Sequence, residues 1–137
     1  MTPVAVQFQG NNGSLPPPYH RATEIHIDAD GKGTLVRRHG YDRVDPAQRF
    51  EVTFELSPSR QQAFARRMQE LGALRALWRE QEHPPVGGPV ISVRLTQGNN
   101  SVEIPAFPVA DQRELAEAVY RTAASNRCLL AQAPTGI

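Results

Sequence analysis

A single cysteine, Cys128, excludes an intrachain disulfide and a thiolate metal cluster. Lysine is equally scarce. Lys32 stands alone among 15 basic residues, and the rest are arginines. An excess of either charge is lacking too. Fifteen basic and 14 acidic residues leave a net charge of +1, so no long-range field steers the chain toward nucleic acid or an anionic membrane. No apolar run approaches the ~20 residues that span a bilayer. The opening Met1-Thr2-Pro3-Val4-Ala5-Val6-Gln7 has no basic region followed by an apolar run, so it does not read as a secretory signal. The expectation is a cytoplasmic protein with no nucleic-acid and no membrane partner.

What is present is ordinary core material. The 137 residues are 39% hydrophobic, enough for one domain with one core. Val4, Val6 and Phe8 alternate with polar or small residues, which is strand periodicity. Thr23 to Ala29 and Thr34 to His39 alternate around Asp30-Gly31-Lys32-Gly33, a hairpin signal. Arg49 to Leu56 alternates without a fault, so Phe50, Val52, Phe54 and Leu56 are expected to face the core. Ser57-Pro58 then supplies an N-cap and a first-turn proline. Phe64, Met68 and Leu71 form the apolar stripe of a helix that Gly72 ends. Ala73 to Glu82 reads equally as a short helix or as an irregular segment. Ile91, Val93 and Leu95 with Val102 and Ile104 make a second hairpin around Gln97-Gly98-Asn99-Asn100. Asp111 and Glu114 suggest a capping box, opening a helix with Leu115, Val119 and Thr122 inward.

These elements predict a two-layer α+β domain. Its antiparallel sheet has about five to six strands, in the order β-β-β-β-α-β-β-α, with two helices on one face. The domain spans residues 1–126, and 127–137 reads as a tail.

Chemistry is tested against spacing. Asp28-Ala29-Asp30-Gly31 imitates a calcium loop, but the first ligand position would be His26 and the last Arg37, so a plain turn is the simpler reading. His20, His26, His39 and His83 show no metal-ligand spacing and read as solvent-facing, although His26 and His39 lie on paired strands and could meet. No serine sits in a nucleophile elbow. Arg37, Arg38, Arg43 and Arg49 share their faces with Glu24, Asp45, Glu51 and Glu55, which favours cross-strand ion pairs. No catalytic residue, metal or cofactor is expected.

Two stretches carry a resemblance. One is Val4-Ala5-Val6-Gln7-Phe8, a Gly/Asn/Pro loop and Ile25 to Gly33. The other is Leu56-Ser57-Pro58, a helix ending Leu71-Gly72-Ala73-Leu74, and Gly87-Gly88 before a hairpin. Together they resemble small bacterial α+β domains of unknown function. More distantly, over about residues 4 to 125, the chain is similar to emfourin-type inhibitors of thermolysin-like metallopeptidases. That resemblance implies an inhibitor. Emfourin-like chains have a doubled glycine in the first loop, where this one reads Gly10-Asn11-Asn12-Gly13, so no functional residue is carried over.

With chemistry unsupported, the expected function is a non-enzymatic protein-binding module, such as an inhibitor, an immunity-type protein or an accessory subunit. Proline-stiffened loops lose little entropy on docking. The candidate binding residues are therefore Asn11, Asn12, Pro16, Pro17, Pro18 and Tyr19 in the first loop, and His83, Pro85, Gly87 and Gly88 in the second. A small molecule held between the sheet and the Trp78 segment is the alternative. A homodimer through a sheet edge is a further possibility.

Overall fold

A computed structural model of the chain describes residues 1–16, 19–40 and 49–125. Four strands come first: β1 (Ala5–Asn11), β2 (Arg21–Ile27), β3 (Lys32–His39) and β4 (Arg49–Glu55). Helix α1 (Pro58–Leu71) follows, then β5 (Val90–Gln97), β6 (Asn100–Ile104) and α2 (Arg113–Ser125). The six strands form one antiparallel sheet in the order β4-β3-β2-β1-β5-β6. This is the α+β architecture that the alternation predicted.

Register explains the core. Val52, Leu35, Ile25, Phe8, Val93 and Ile104 stand directly opposite one another across all six strands. The next row on that face is Phe54, Gly33, Ile27, Val6, Leu95 and Val102. A Cβ on Gly33 would lie 2.3 Å from the Phe54 ring, so the aromatic covers the glycine across the strand pair. Phe64, Ala65 and Met68 of α1 and Ala116, Val119 and Ala123 of α2 close over these rows in a single cluster. The other face carries Thr34, His26, Gln7, Arg94 and Glu103 in one row and stays polar.

Helix α1 begins and ends as expected. The Ser57 hydroxyl accepts from the Arg60 N–H, and Gly72 is left-handed at φ 72°. Other expectations need correction. The first turn spans Asp28 to Gly31, two residues earlier than predicted. The Asp28 carboxylate accepts from the N–H groups of Asp30 (2.9 Å) and Lys32 (3.1 Å), and Gly31 supplies φ 87°. This local turn outcompetes extension of the strand to Ala29.

Asp111 caps no helix. Ala110–Gln112 forms a 3-10 turn without a side-chain cap, and Asp111 pairs with Arg79 at 3.4 Å. Ala116, Val119 and Ala123 are fully buried, whereas Leu115 and Thr122 are only half-buried. Small residues on the inward stripe let α2 lie close to the sheet. Phe50 does not reach the core: it is 36% exposed, at the second residue of β4.

Ala73 to Glu82 settles as an irregular segment held by side chains. The Asn100 amide donates to the Leu74 carbonyl at 3.0 Å, and the Trp78 indole donates to the Ala73 carbonyl at 3.0 Å. Gln112 clamps it, donating to the Leu77 carbonyl at 2.7 Å and accepting from the Arg79 N–H at 2.9 Å. The predicted tail 127–137, Cys128, Pro17, Pro18, Arg43 and Asp45 lie outside the described residues. Among the described residues, no helix is long and apolar enough to cross a membrane.

Candidate functional site

The two candidate loops lie at the same end of the sheet. The first leaves β1 at Asn11, and the second delivers the chain to β5 at Val90. Those two residues are direct cross-strand partners. The loops are joined by a backbone hydrogen bond in which the Ser14 N–H donates to the Gly87 carbonyl at 2.8 Å.

Asparagines build the neck of the first loop. Asn11 Oδ1 accepts from the Gly13 N–H at 2.8 Å. Asn12 spans the neck: its amide donates to the Tyr19 carbonyl at 2.8 Å, and its Oδ1 accepts from the Arg21 N–H at 2.8 Å. On the far side, the Tyr19 and His20 N–H groups both donate to the Pro16 carbonyl, at 2.9 and 3.1 Å. Gly13 is the tight point. Its φ is 103°, and an added Cβ would meet the Gly87 oxygen at 2.5 Å and the Gly88 carbonyl carbon at 2.9 Å. The glycine is needed both for its left-handed backbone and for the close approach of the second loop.

What this braced frame presents is apolar. Val86 is 97% exposed, Tyr19 66% and Leu15 40%. Ile91, one residue into β5, is also exposed. Such side chains in water, on loops held by their own hydrogen bonds, are typical of a recognition surface.

The structure therefore brings Asn11, Asn12, Pro16 and Tyr19 together with Gly87 and Gly88. His83 and Pro85 are exposed further along the second loop. Pro17 and Pro18 fall outside the described residues. The expected loops, Asn11 to Tyr19 and His83 to Pro89, contain all three of the exposed side chains Leu15, Tyr19 and Val86, of which Tyr19 alone was named individually. The available signal was an apolar residue inside a Gly/Pro-rich stretch, where burial is hard to arrange.

Of the four histidines expected to face solvent, His26, His39 and His83 are exposed and His20 is not. His20 is buried, at 8% exposure, with Nδ1 3.1 Å from the Gly40 carbonyl. That contact ties the first loop to the end of β3. His26 stands opposite Thr34 and His39 opposite Arg21, so the two sit at opposite ends of the β2–β3 pair and do not meet. Among the described residues, no group of three His, Cys, Asp or Glu side chains could hold a metal. Of the arginines expected in cross-strand pairs, Arg38 meets Glu24 at 2.7 Å, whereas Arg49 pairs with Glu51 on its own strand at 3.0 Å; Arg94 and Glu103 add a further cross-strand pair.

A groove of about 530 Å³ lies between the polar sheet face and the Trp78 segment, with Gln7, Gln9, Ser92, Arg94 and Glu80 on its walls. Beneath this segment, the Tyr120 hydroxyl donates to the Pro105 carbonyl. Burial, with the Glu80 carboxylate nearby, pushes Tyr120 up to about 12 from its ordinary 10. A tyrosine that stays protonated longer in the folded state contributes stability that is complete below pH 10. That contribution is lost as pH rises through about 12. The urea midpoint of the wild type should therefore fall across this window. Tyr120→Phe should start lower, because the Pro105 carbonyl loses its donor, and should fall less steeply. Parallel curves for the two proteins would contradict this assignment.

Compared with known proteins, the sequence matches no protein family and no curated protein.

Proposed function

We propose that the chain is a non-enzymatic protein-binding module and that the joined loops at one end of the sheet are its docking surface. The observation that carries this reading is the Ser14–Gly87 bond, which joins two loops that expose Leu15, Tyr19 and Val86. Two loops more than 60 residues apart in sequence are held as one surface before any partner arrives. Ordering them at the moment of binding would cost affinity, and the frame avoids most of that cost. Tyr19 is the natural anchor, a large side chain with few rotatable bonds and a polar tip.

Affinity capture from the native host, followed by affinity measurement with the purified partner, tests the proposal. The variant carrying Tyr19→Ala and Val86→Ser should bind at least ~30-fold more weakly, the effect of losing an anchor worth about 2 kcal/mol. Equal affinity of variant and wild type would sink the docking surface. Inhibition of a thermolysin-like metallopeptidase is the specific form suggested by the emfourin resemblance. It is checked in the same series by adding the purified chain to such a peptidase and reading its activity.

A second reading rests on the groove beside Trp78, whose size suits a small polar ligand. Trp78 is the only tryptophan. A ligand seated there should change the protein's intrinsic fluorescence, and a metabolite screen without any change would remove this reading.

A further inference from the structure

The outer edge of β4 carries a pattern unrelated to the loops. No strand lies beyond β4 among the described residues. The backbone direction along it follows from one contact. The Leu56 N–H donates to the Gly31 carbonyl at 2.8 Å, continuing the β3–β4 register. In an antiparallel ladder successive residues turn their N–H and C=O groups to opposite sides. Phe54, Val52 and Phe50 therefore bond toward β3, while Arg49, Glu51, Thr53 and Glu55 direct their backbone groups outward.

The strand reads Arg49-Phe50-Glu51-Val52-Thr53-Phe54-Glu55. Against a second copy running antiparallel, with Val52 on the two-fold axis, Arg49 faces Glu55, Phe50 faces Phe54 and Glu51 faces Thr53. Each residue meets one from the same sheet face, as a continuous sheet requires. Slipping the partner by two residues one way sets Glu51 against Glu51. Slipping it the other way sets Glu51 against Glu55. Like charges directly opposite oppose pairing, so the seven-residue register is the one that the charges favour.

Charges on an edge strand usually serve to block pairing. Here their order is self-complementary instead. Phe50, exposed in the monomer, would gain an aromatic partner. Arg49 would exchange its contact with Glu51 (3.0 Å, both side chains about half exposed) for Glu55 of the second copy, and surface ion pairs are cheap to exchange.

We propose that β4 is a homodimerisation edge, joining two sheets antiparallel about Val52 into one continuous sheet. A symmetric dimer repeats every contact about the axis. The contact strip is a single strand wide, so the association is weak and concentration-dependent.

Sedimentation velocity on the full chain, from micromolar to millimolar concentration, tests the proposal. The wild type should show a reversible monomer–dimer equilibrium. Glu55→Arg places arginine opposite Arg49 and should weaken the dimer about tenfold or more. The double variant with Arg49→Glu and Glu55→Arg restores opposite charges and should recover the wild-type dimer. Thr53→Pro removes an outward N–H and should give a monomer, while circular dichroism reports an intact sheet. A wild type that is monomeric at every concentration overturns the proposal. So does a Glu55→Arg variant that dimerises like the wild type. The Tyr19 and Val86 substitutions should leave this equilibrium unchanged, which keeps the two surfaces separately testable.

Discussion

Gly13→Ala should part the two loops and destabilise the fold by about 1–3 kcal/mol, the usual cost of a strained backbone position. Two effects combine. Alanine is strained at φ 103°, and its Cβ would sit 2.5 Å from the Gly87 oxygen. The obstructing atoms belong to backbone, so no rotamer change relieves the contact. Gly87→Ala is the control. Its φ of 89° imposes a similar conformational penalty, but nothing lies within 4 Å of the added carbon. Its loss should be limited to about 1–2 kcal/mol. Urea titrations should place Gly13→Ala below Gly87→Ala. Partner affinity should fall with the loop contact in Gly13→Ala even where the protein remains folded.

Leu35→Ala should show the opposite combination. Leu35 is 0% exposed, in the middle of the row that crosses all six strands. Truncating a buried leucine removes transfer free energy and leaves a cavity, together costing about 2–5 kcal/mol. That is a large share of the roughly 5–15 kcal/mol that holds a domain of this kind together. Thermal unfolding should move down by about 10 °C or more. At low temperature, where the variant is still folded, partner affinity should be unchanged. Leu35 belongs to the floor of the core and makes no part of the loop surface. A loss of affinity equal to that of Gly13→Ala would mean that the loops are shaped by the core rather than by their own bonds.

Sequence pattern carried most of the fold for physical reasons visible at single elements. Strand β4 alternates over its whole length, and α1 has a serine cap, a first-turn proline and a terminal glycine. Each signal is local, so one sequence suffices to read it. Expectations failed where a tertiary contact outcompeted a local one. Gln112 reaches across to Leu77 and Arg79, and Asp111 to Arg79, so the chain around them forms a 3-10 turn before α2 begins. Phe50 obeys its alternation yet remains exposed, because alternation assigns a face and not a depth of burial. His20 was expected to face solvent and is buried, with its ring against the Gly40 carbonyl 20 residues away in sequence.

The candidate site divides in the same way. Glycine and proline marked both loops, with asparagine in the first, because turn chemistry is local. Their union was not legible, since it depends on Asn11 and Val90 being cross-strand neighbours and on one bond between Ser14 and Gly87. Which side chains those turns hold outward was not legible either, because turn residues fix the path of a loop and not the exposure of Leu15, Tyr19 and Val86.

Residue-resolved hydrogen exchange at Ser14 tests the joined loops most directly. A bond to the Gly87 carbonyl in a braced loop should slow exchange of the Ser14 amide about tenfold or more relative to the unstructured chain, corresponding to a local opening cost of about 1.4 kcal/mol or more. The protection should disappear in Gly13→Ala while amides of the central strands stay protected. A Ser14 amide that exchanges in the wild type as fast as in an unstructured peptide would contradict a surface assembled before its partner arrives.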